Sequence, residues 1–397
     1  MKILYYSPHP THDIVSEVGY ATHQREVILA LKEMGHDVLP VIMGGTEASD
    51  LNPVARDTYQ PSKLKSIIKK LMPSWLWTSF NNYKLRQHDK RAGERLQKAL
   101  NDFKPDLIYE RSEYLQDSGA KLASSLGIPY FLEVNAPFVE EMNAFEGYSL
   151  YHPLAHKIEK YKLDKADKVF VVSTSLADFL KKHYLCDAQK ILVQPNCINP
   201  TKISVHSDTI NQIKTNFYIG EKKVIGFVGS MFPYHGVDLL ISAFADVHKR
   251  HPESVLMVVG DGSILKQLKD QAVGLGIDND VIFTGKIPHK EVFNYISAMD
   301  ICIMARSNWY GSPVKLFEYG LMKKPIIAPD TMPVRDVMEH GQDALIIKDD
   351  VESLKSALEN LLNDTALANH LAGNFYQKVM DAYQWKHAAN NIIKQCI

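Results

Sequence analysis

The chain is poor in cysteine, and the four it has, Cys186, Cys197, Cys302 and Cys396, are scattered without any C-x-x-C spacing. Neither a zinc ribbon nor a disulfide framework is indicated, and the pattern suits a reducing cytosol. No apolar run approaches the roughly 18 residues of a membrane-spanning helix. The opening MKILYYSPHP turns polar too early for a secretory signal. Neither sign of charge prevails: 45 Lys and Arg face 46 Asp and Glu, a net charge of −1, so no global field draws the chain to nucleic acid. No acidic pair is placed as a divalent-ion site, and no cofactor is expected.

What is present is ordinary globular material, 397 residues with 45% hydrophobic and 23% charged. That is enough for two domains with real cores. Ile301–Ala305 reads as a strand, Arg306–Ser312 as a polar loop, Val314–Met322 as a helix and Ile326–Ala328 as a buried parallel strand. Pro313 suits a first helical turn. A helix opening on Gly311-Ser312 offers free N–H groups and a positive dipole end to an anion. Lys315 and Glu318, three residues apart, share a face. Lys315 suits a diphosphate, and Glu318 suits the two hydroxyls of a ribose. From spacing alone, a Lys–Glu pair on a solvated helix face is the commoner outcome.

Earlier in the chain, Lys2–Tyr6, Ala21–Met34 and Asp37–Met43 form a βαβ unit, and its crossover should be right-handed. Ligands of open α/β sheets lie beyond the carboxyl ends of strands. That directs attention to the loop 7–20 with Gly19, and to Glu110, Arg111, Glu133 and Asn135 at the ends of two further strands. Gly19 either admits a close backbone approach or is only a helix-start glycine. Glu133 has a structural alternative, as a cap on a neighbouring loop. His23, one turn into its helix, reads as a surface histidine. Between Lys63 and Arg91 eight basic residues face one acid, Asp89, with Trp75, Leu76 and Trp77 interleaved. This segment is either an interfacial amphipathic helix at an anionic membrane or an insertion packed on its own domain. Residues 199–222 lack a strong period and read as a linker. Val224–Val228 then begins a second half. Its glycine turns, Gly229-Ser230 and Gly260-Asp261-Gly262, are common and weak signals individually.

The run SPVKLFEYGLMKKPIIA (312–328) resembles the donor-site signature of the retaining glycosyltransferases of family 4, and in particular a subset reading Ser-Pro-x-Lys-Leu-x-Glu-Tyr. The resemblance extends over 1–45, 105–200 and 224–397 and is weakest over 46–104. It implies an α/β chain of GT-B fold, two facing Rossmann-like domains with a cleft. Residues 1–200 with a returning 376–397 would hold the acceptor, and 201–375 the donor. It implies glycosyl transfer from a nucleotide-diphosphate sugar, of UDP or GDP type, with retention. It places Lys315, Glu318, His235 and Asn135 at catalytic positions. Gly229, Ser230, Gly260, Gly262, Lys286, Ile287, Tyr310, Gly311, Ser312 and Val314 fall on the donor side, with the 286–287 backbone at the base. Gly19, Glu110, Arg111 and Glu133 fall on the acceptor side. Five positions depart from the family: Tyr310 stands for a glutamate, Ser230 for an arginine, His235 for a lysine, Asn135 for a histidine and Cys197 for a glycine. Two alternatives stay open: a sugar-nucleotide epimerase, which shares the fold, and a non-catalytic nucleotide-sugar-binding protein, which the departures at Tyr310, Ser230 and Asn135 make conceivable. The expected partners are a nucleotide sugar, an acceptor sugar of lipid-linked type, and an anionic membrane through 63–91, at the cytoplasmic face.

Overall fold

The structure is a computed structural model, and it describes residues 1–16, 18–44 and 72–396. The chain divides into two units, Met1–Gln194 with Trp385–Ile397, and Pro195–Gln384. The division therefore falls six residues before 200. The returning segment starts at Trp385 rather than 376, because the helix Thr365–Ala382 packs in the second unit, its Phe375 and Val379 in that unit's core.

The first unit carries a parallel sheet in the order β2-β1-β3-β4-β5-β6. Its strands are β1 (Lys2–Ser7), β2 (Asp37–Ile42), β3 (Leu107–Arg111), β4 (Tyr130–Val134), β5 (Lys168–Val171) and β6 (Ile191–Val193). Ile3 to Ser7 are fully buried, as expected of a strand covered on both faces. The second unit repeats the plan in the order β12-β11-β10-β7-β8-β9. Its strands are β7 (Lys223–Val228), β8 (Ser254–Val259), β9 (Val281–Gly285), β10 (Ile301–Ile303), β11 (Ile326–Pro329) and β12 (Leu345–Ile347). Along β7, Ile225 and Phe227 belong to one core layer and Val224 and Val228 to the other. The two-residue period of a strand thus supplies both sides of the sheet. This is the architecture of the GT-B glycosyltransferases.

Two segments, 199–222 and 63–91, depart from the sequence reading, and a helix at 138–146 is added to it. Residues 199–222 contain the helix Ser207–Asn216, which buries Ile213; its apolar contacts are too few to give a clear period. The acidic pair Glu140-Glu141 opens the helix Phe138–Glu146, where carboxylates favour the positive end of the dipole. Of the segment 63–91, residues 63–71 lie outside the described residues. The rest begins a 30-residue helix, Ser74–Phe103, closed by Lys104 in the left-handed region. Its second half buries Ala92, Leu96 and Leu100 at intervals of four, but its first half buries Thr78, Ser79 and Asn82. Those polar groups are held by Glu146 and Ser149: the Thr78 hydroxyl donates to the Glu146 carbonyl at 2.9 Å and Asn82 donates to Ser149 Oγ at 2.8 Å.

Candidate active site

In the second unit the strand order reverses at β7, whose neighbours are β10 and β8. The carboxyl ends of β7 and β10 therefore mark the switch point of an open sheet. β7 runs into Gly229-Ser230 and β10 into the 306–315 loop, while Gly260-Asp261-Gly262 follows β8, the other neighbour of β7. Gly229 has φ +146°, and a Cβ there would lie 2.8 Å from Lys315 Nζ. Gly260 has φ +129°, and its Cβ would collide with the Gly229 carbonyl; a Cβ on Gly262 would collide with the Met231 backbone. These turns pack backbone on backbone, which only glycine allows.

The helix Val314–Leu321 begins with Pro313 as N-cap and no side-chain cap, one residue shorter than the sequence suggests. Its first N–H groups keep the positive dipole end. The helix is fixed to β7 by Tyr319, whose hydroxyl accepts from the Val228 N–H at 2.9 Å. The sequence reading gave this tyrosine no role. The arrangement leaves Lys315 Nζ 3.5 Å from His235 Nδ1 and 4.3 Å from the centre of the Phe227 ring. Among the described residues no carboxylate pairs with it. Burial pushes its ammonium down to about 7, against the pull of Glu318. Burial, and then the Lys315 charge, lowers His235 to about 3, so His235 is a neutral acceptor for the lysine at pH 7. Glu318 is largely covered, with Oε1 3.7 Å from His289 Nε2.

The remaining donor-side positions scatter. Ser312 is used structurally: its Oγ accepts from the Asn196 N–H at 2.9 Å, and its carbonyl accepts from Asn196 Nδ2 at 2.8 Å. The Gly311 N–H donates to Asn308 Oδ1 at 2.7 Å. Tyr310 meets Trp309 edge to face at 5.2 Å. Ser230, Lys286 and Val314 are exposed and Ile287 is half-buried. Arg306, an unconsidered cation of the same loop, donates to Asp238 at 3.1 Å and also pairs with Asp349. Asp278-Asn279-Asp280 does have an acidic-pair spacing, but it precedes β9, at the amino end of the sheet. There Asp280 meets Lys222 at 2.9 Å and His248 at 3.3 Å. A cavity of about 530 Å³ lined by Glu339, Asp343, Lys378 and Asp381 shares no residue with this site.

In the first unit, the register of β3 on β4 sets Arg111 against Glu133 and Glu110 against Leu132. Strand alternation then separates two residues that the sequence reading grouped. Arg111 and Tyr109 face Glu133: Arg111 Nη1 donates to Oε1 at 2.9 Å and the Tyr109 hydroxyl to Oε2 at 2.9 Å. Asn135 Nδ2 adds a bond to Oε1 at 2.6 Å, and His23 Nε2 lies 2.9 Å from the same oxygen. Glu133 is thus a buried hub rather than a group turned to a ligand. Burial raises its carboxyl, but His23, Arg111 and Asn135 override this and bring it down to about 2. His23 is no surface residue: it also meets Trp385 edge-on at 4.8 Å. Glu110 points the other way, beneath the helix Ser118–Leu126, where a Cβ on Gly119 would collide with it. Burial pushes it up to about 8, against the opposing pull of Lys162, so it is a neutral core acid and leaves the acceptor side. Gly19 starts the helix Gly19–Glu33 with open space around it, so no close approach requires it.

One further group was missed. Among the described residues His9, His12 and Glu113 offer ligand atoms all within 4.8 Å of one another. His12 Nδ1 already lies 2.7 Å from Glu113 Oε1, and His9 stacks on His12 with ring centres 3.9 Å apart. Ring nitrogens in stacked planes do not converge on one ion, so the trio as it stands is a hydrogen-bonded pair with a stacked neighbour.

Residues 19–202 match the model of Glycosyltransferase Family 4, and residues 208–378 match that of Glycosyl transferases group 1. Each match falls essentially in one unit. The two parallel sheets carry the GT-B fold. An uncharacterized glycosyltransferase of Methanocaldococcus jannaschii is 26% identical over 239 residues, 60% of each chain. The alpha-monoglucosyldiacylglycerol synthase of Streptococcus pneumoniae is 25% identical over 298 residues, 73% of this chain and 63% of that one. The chain thus spans less than two thirds of either relative. Among solved structures, HepE of Anabaena in complex with UDP superposes with a TM-score of 0.73 over 99% of both chains at 15% identity.

Proposed function

We propose that the chain transfers a glycosyl group from a nucleoside-diphosphate sugar to an acceptor hydroxyl, with retention of configuration. The observation that carries this is Lys315: an ammonium without a carboxylate partner among the described residues, set in the first turn of an uncapped helix at the β7/β10 switch point. A group of that kind stabilises a diphosphate as it leaves. UDP in the HepE crystals supports this class of ligand. Glu318, one turn deeper, accepts from the two ribose hydroxyls. Its replacement by alanine removes charge-assisted bonds worth roughly 1.5–3 kcal/mol each, so calorimetry should show UDP binding at least about tenfold weaker with an unchanged melting profile. Unaltered UDP affinity would take Glu318 out of the site.

The acceptor is proposed to be lipid-linked, in cell-surface polysaccharide or glycolipid synthesis, and the first unit to dock on the cytoplasmic face of an anionic membrane. Supporting this, Trp75, Phe80, Tyr83, Phe145, Tyr148 and Leu150 are all exposed, Phe145 at 71%, on the helix Ser74–Phe103 and the 145–150 segment bonded to it. Lys84, Lys90 and Arg91 are exposed on the same helix. Arg86 is not available, being held by Asp89 and Asp117 at 2.9 and 3.1 Å, and Trp77 is half-buried. No helix among the described residues is long and apolar enough to cross a membrane, so the contact is interfacial. In sedimentation with vesicles, the chain should bind anionic but not neutral lipid. Salt should weaken binding, and Trp75→Ser with Phe145→Ser should abolish it. Failure to sediment with any vesicle removes the membrane from the proposal.

A further inference from the structure

The first sheet has its own switch point. Its order reverses at β1, between β2 and β3, so the crevice that the topology offers a ligand lies beyond Ser7 and Arg111. The residues that follow those strands are the ones that meet there: His9 and His12 from the loop after β1, and Glu113 two residues after β3. Glu113 is buried, with Arg111 Nε 3.8 Å away. Burial raises its carboxyl, but the His12 bond and the neighbouring charges win and hold it below the usual range. A carboxylate only accepts, so His12 Nδ1–H donates to it, and in the neutral ring Nε2 keeps its lone pair. The ring plane is fixed on both sides, by His9 at 3.9 Å and Tyr20 at 4.3 Å between centres. His9 is in the other tautomer: its Nδ1 accepts from the Thr11 N–H at 3.2 Å, leaving Nε2–H to donate. Side by side stand one acceptor and one donor, both half-buried. Neither histidine nor Glu113 belongs to the Glu133 hub, which shares only Arg111 with them.

We propose that His12, held by Glu113 and stacked on His9, is the acceptor-hydroxyl site: His12 Nε2 receives a hydrogen bond from one hydroxyl of a sugar, and His9 Nε2–H donates to the adjacent one. This rests on the glycosyl-transfer reading and names residues that the resemblance to family 4 does not supply. A vicinal diol matches the pair because one hydroxyl can donate while its neighbour accepts. The rigid stack supplies the orientation before the sugar arrives, which lowers the ordering cost of binding.

The test follows the histidine imidazoles of the full chain by long-range ¹H–¹⁵N spectra during titration with methyl α-D-glucopyranoside and methyl α-D-mannopyranoside. Saturable shifts of His9 and His12 are expected. His12→Phe keeps a stacked ring without nitrogen and should weaken binding roughly tenfold or more, while His12→Gln, which restores an acceptor, should recover part of it. With UDP-glucose as donor, His12→Phe should raise the acceptor KM. Parent-like glycoside binding by His12→Phe, or shifts confined to other histidines, overturns the proposal. UDP titrated into the same samples separates the two readings. Glycoside shifts without UDP binding sink the donor reading alone, UDP binding without a response at His12 sinks this one, and silence in both titrations sinks both.

Discussion

Glu133→Ala should lower the unfolding free energy by about 3–5 kcal/mol, the usual consequence of removing one partner of a buried ion pair. Arg111, Tyr109 and Asn135 direct donors at this one carboxylate, with His23 Nε2 2.9 Å away. Among the described residues its loss leaves the buried Arg111 guanidinium with only the Glu113 carboxylate, 3.8 Å from its Nε. Urea titration followed by circular dichroism measures the change. The same hub sets an acid limit. The folded carboxyl titrates near 2 and its ordinary value is 4.5. Its contribution is therefore complete above about pH 4.5 and disappears as pH falls towards 2. Glu133→Gln should lose that pH dependence while keeping part of the stability. A midpoint for Glu133→Ala within experimental error of the parent would mean that the network is not what holds the ends of β3 and β4.

Lys315→Met should weaken UDP binding by roughly 10- to 100-fold, the equivalent of one or more charge-assisted bonds, without loss of stability. It should also remove a pH dependence. In the free protein burial brings the ammonium down to about 7, whereas a bound diphosphate favours the charged form and raises it. Binding above pH 7 therefore takes up a proton, and UDP affinity should fall by up to about tenfold per pH unit until the raised value is reached. The free protein should show the opposite trend in folding. The unfolded lysine, near 10.5, binds more protons than the folded one between about 7 and 10.5, so stability rises with pH across that window. Calorimetry with UDP from pH 6.5 to roughly 9 reads the first effect, and urea midpoints read the second. A flat profile in the parent, or an unchanged one in Lys315→Met, would remove Lys315 from the diphosphate.

The succession of strands and the strand–loop–helix–strand around Lys315 were legible in the sequence, whereas the helices Phe138–Glu146 and Ser207–Asn216 were not. What was legible depends on local period, on glycine and proline, and on short apolar runs. The Lys315–Glu318 spacing was legible for the same reason: three residues on one helix share a face whatever surrounds them.

Contacts between elements were not legible. His23 and Glu133 are separated by 110 positions and brought within 2.9 Å only by tertiary packing. Glu110 and Arg111 are neighbours in sequence with opposite fates, one a neutral core acid under Gly119 and the other a partner of Glu133. The register of β3 on β4 decides which is which. His12 and Glu113 lie at the ends of β1 and β3, strands adjacent in the sheet but about a hundred residues apart in the chain. The sequence by itself determined which residues are available and which local structures they form, because period and turn chemistry act over a few residues. Tertiary structure alone decided which charges are buried and which donor meets which acceptor, because burial and hydrogen bonding depend on neighbours that the chain supplies from far away.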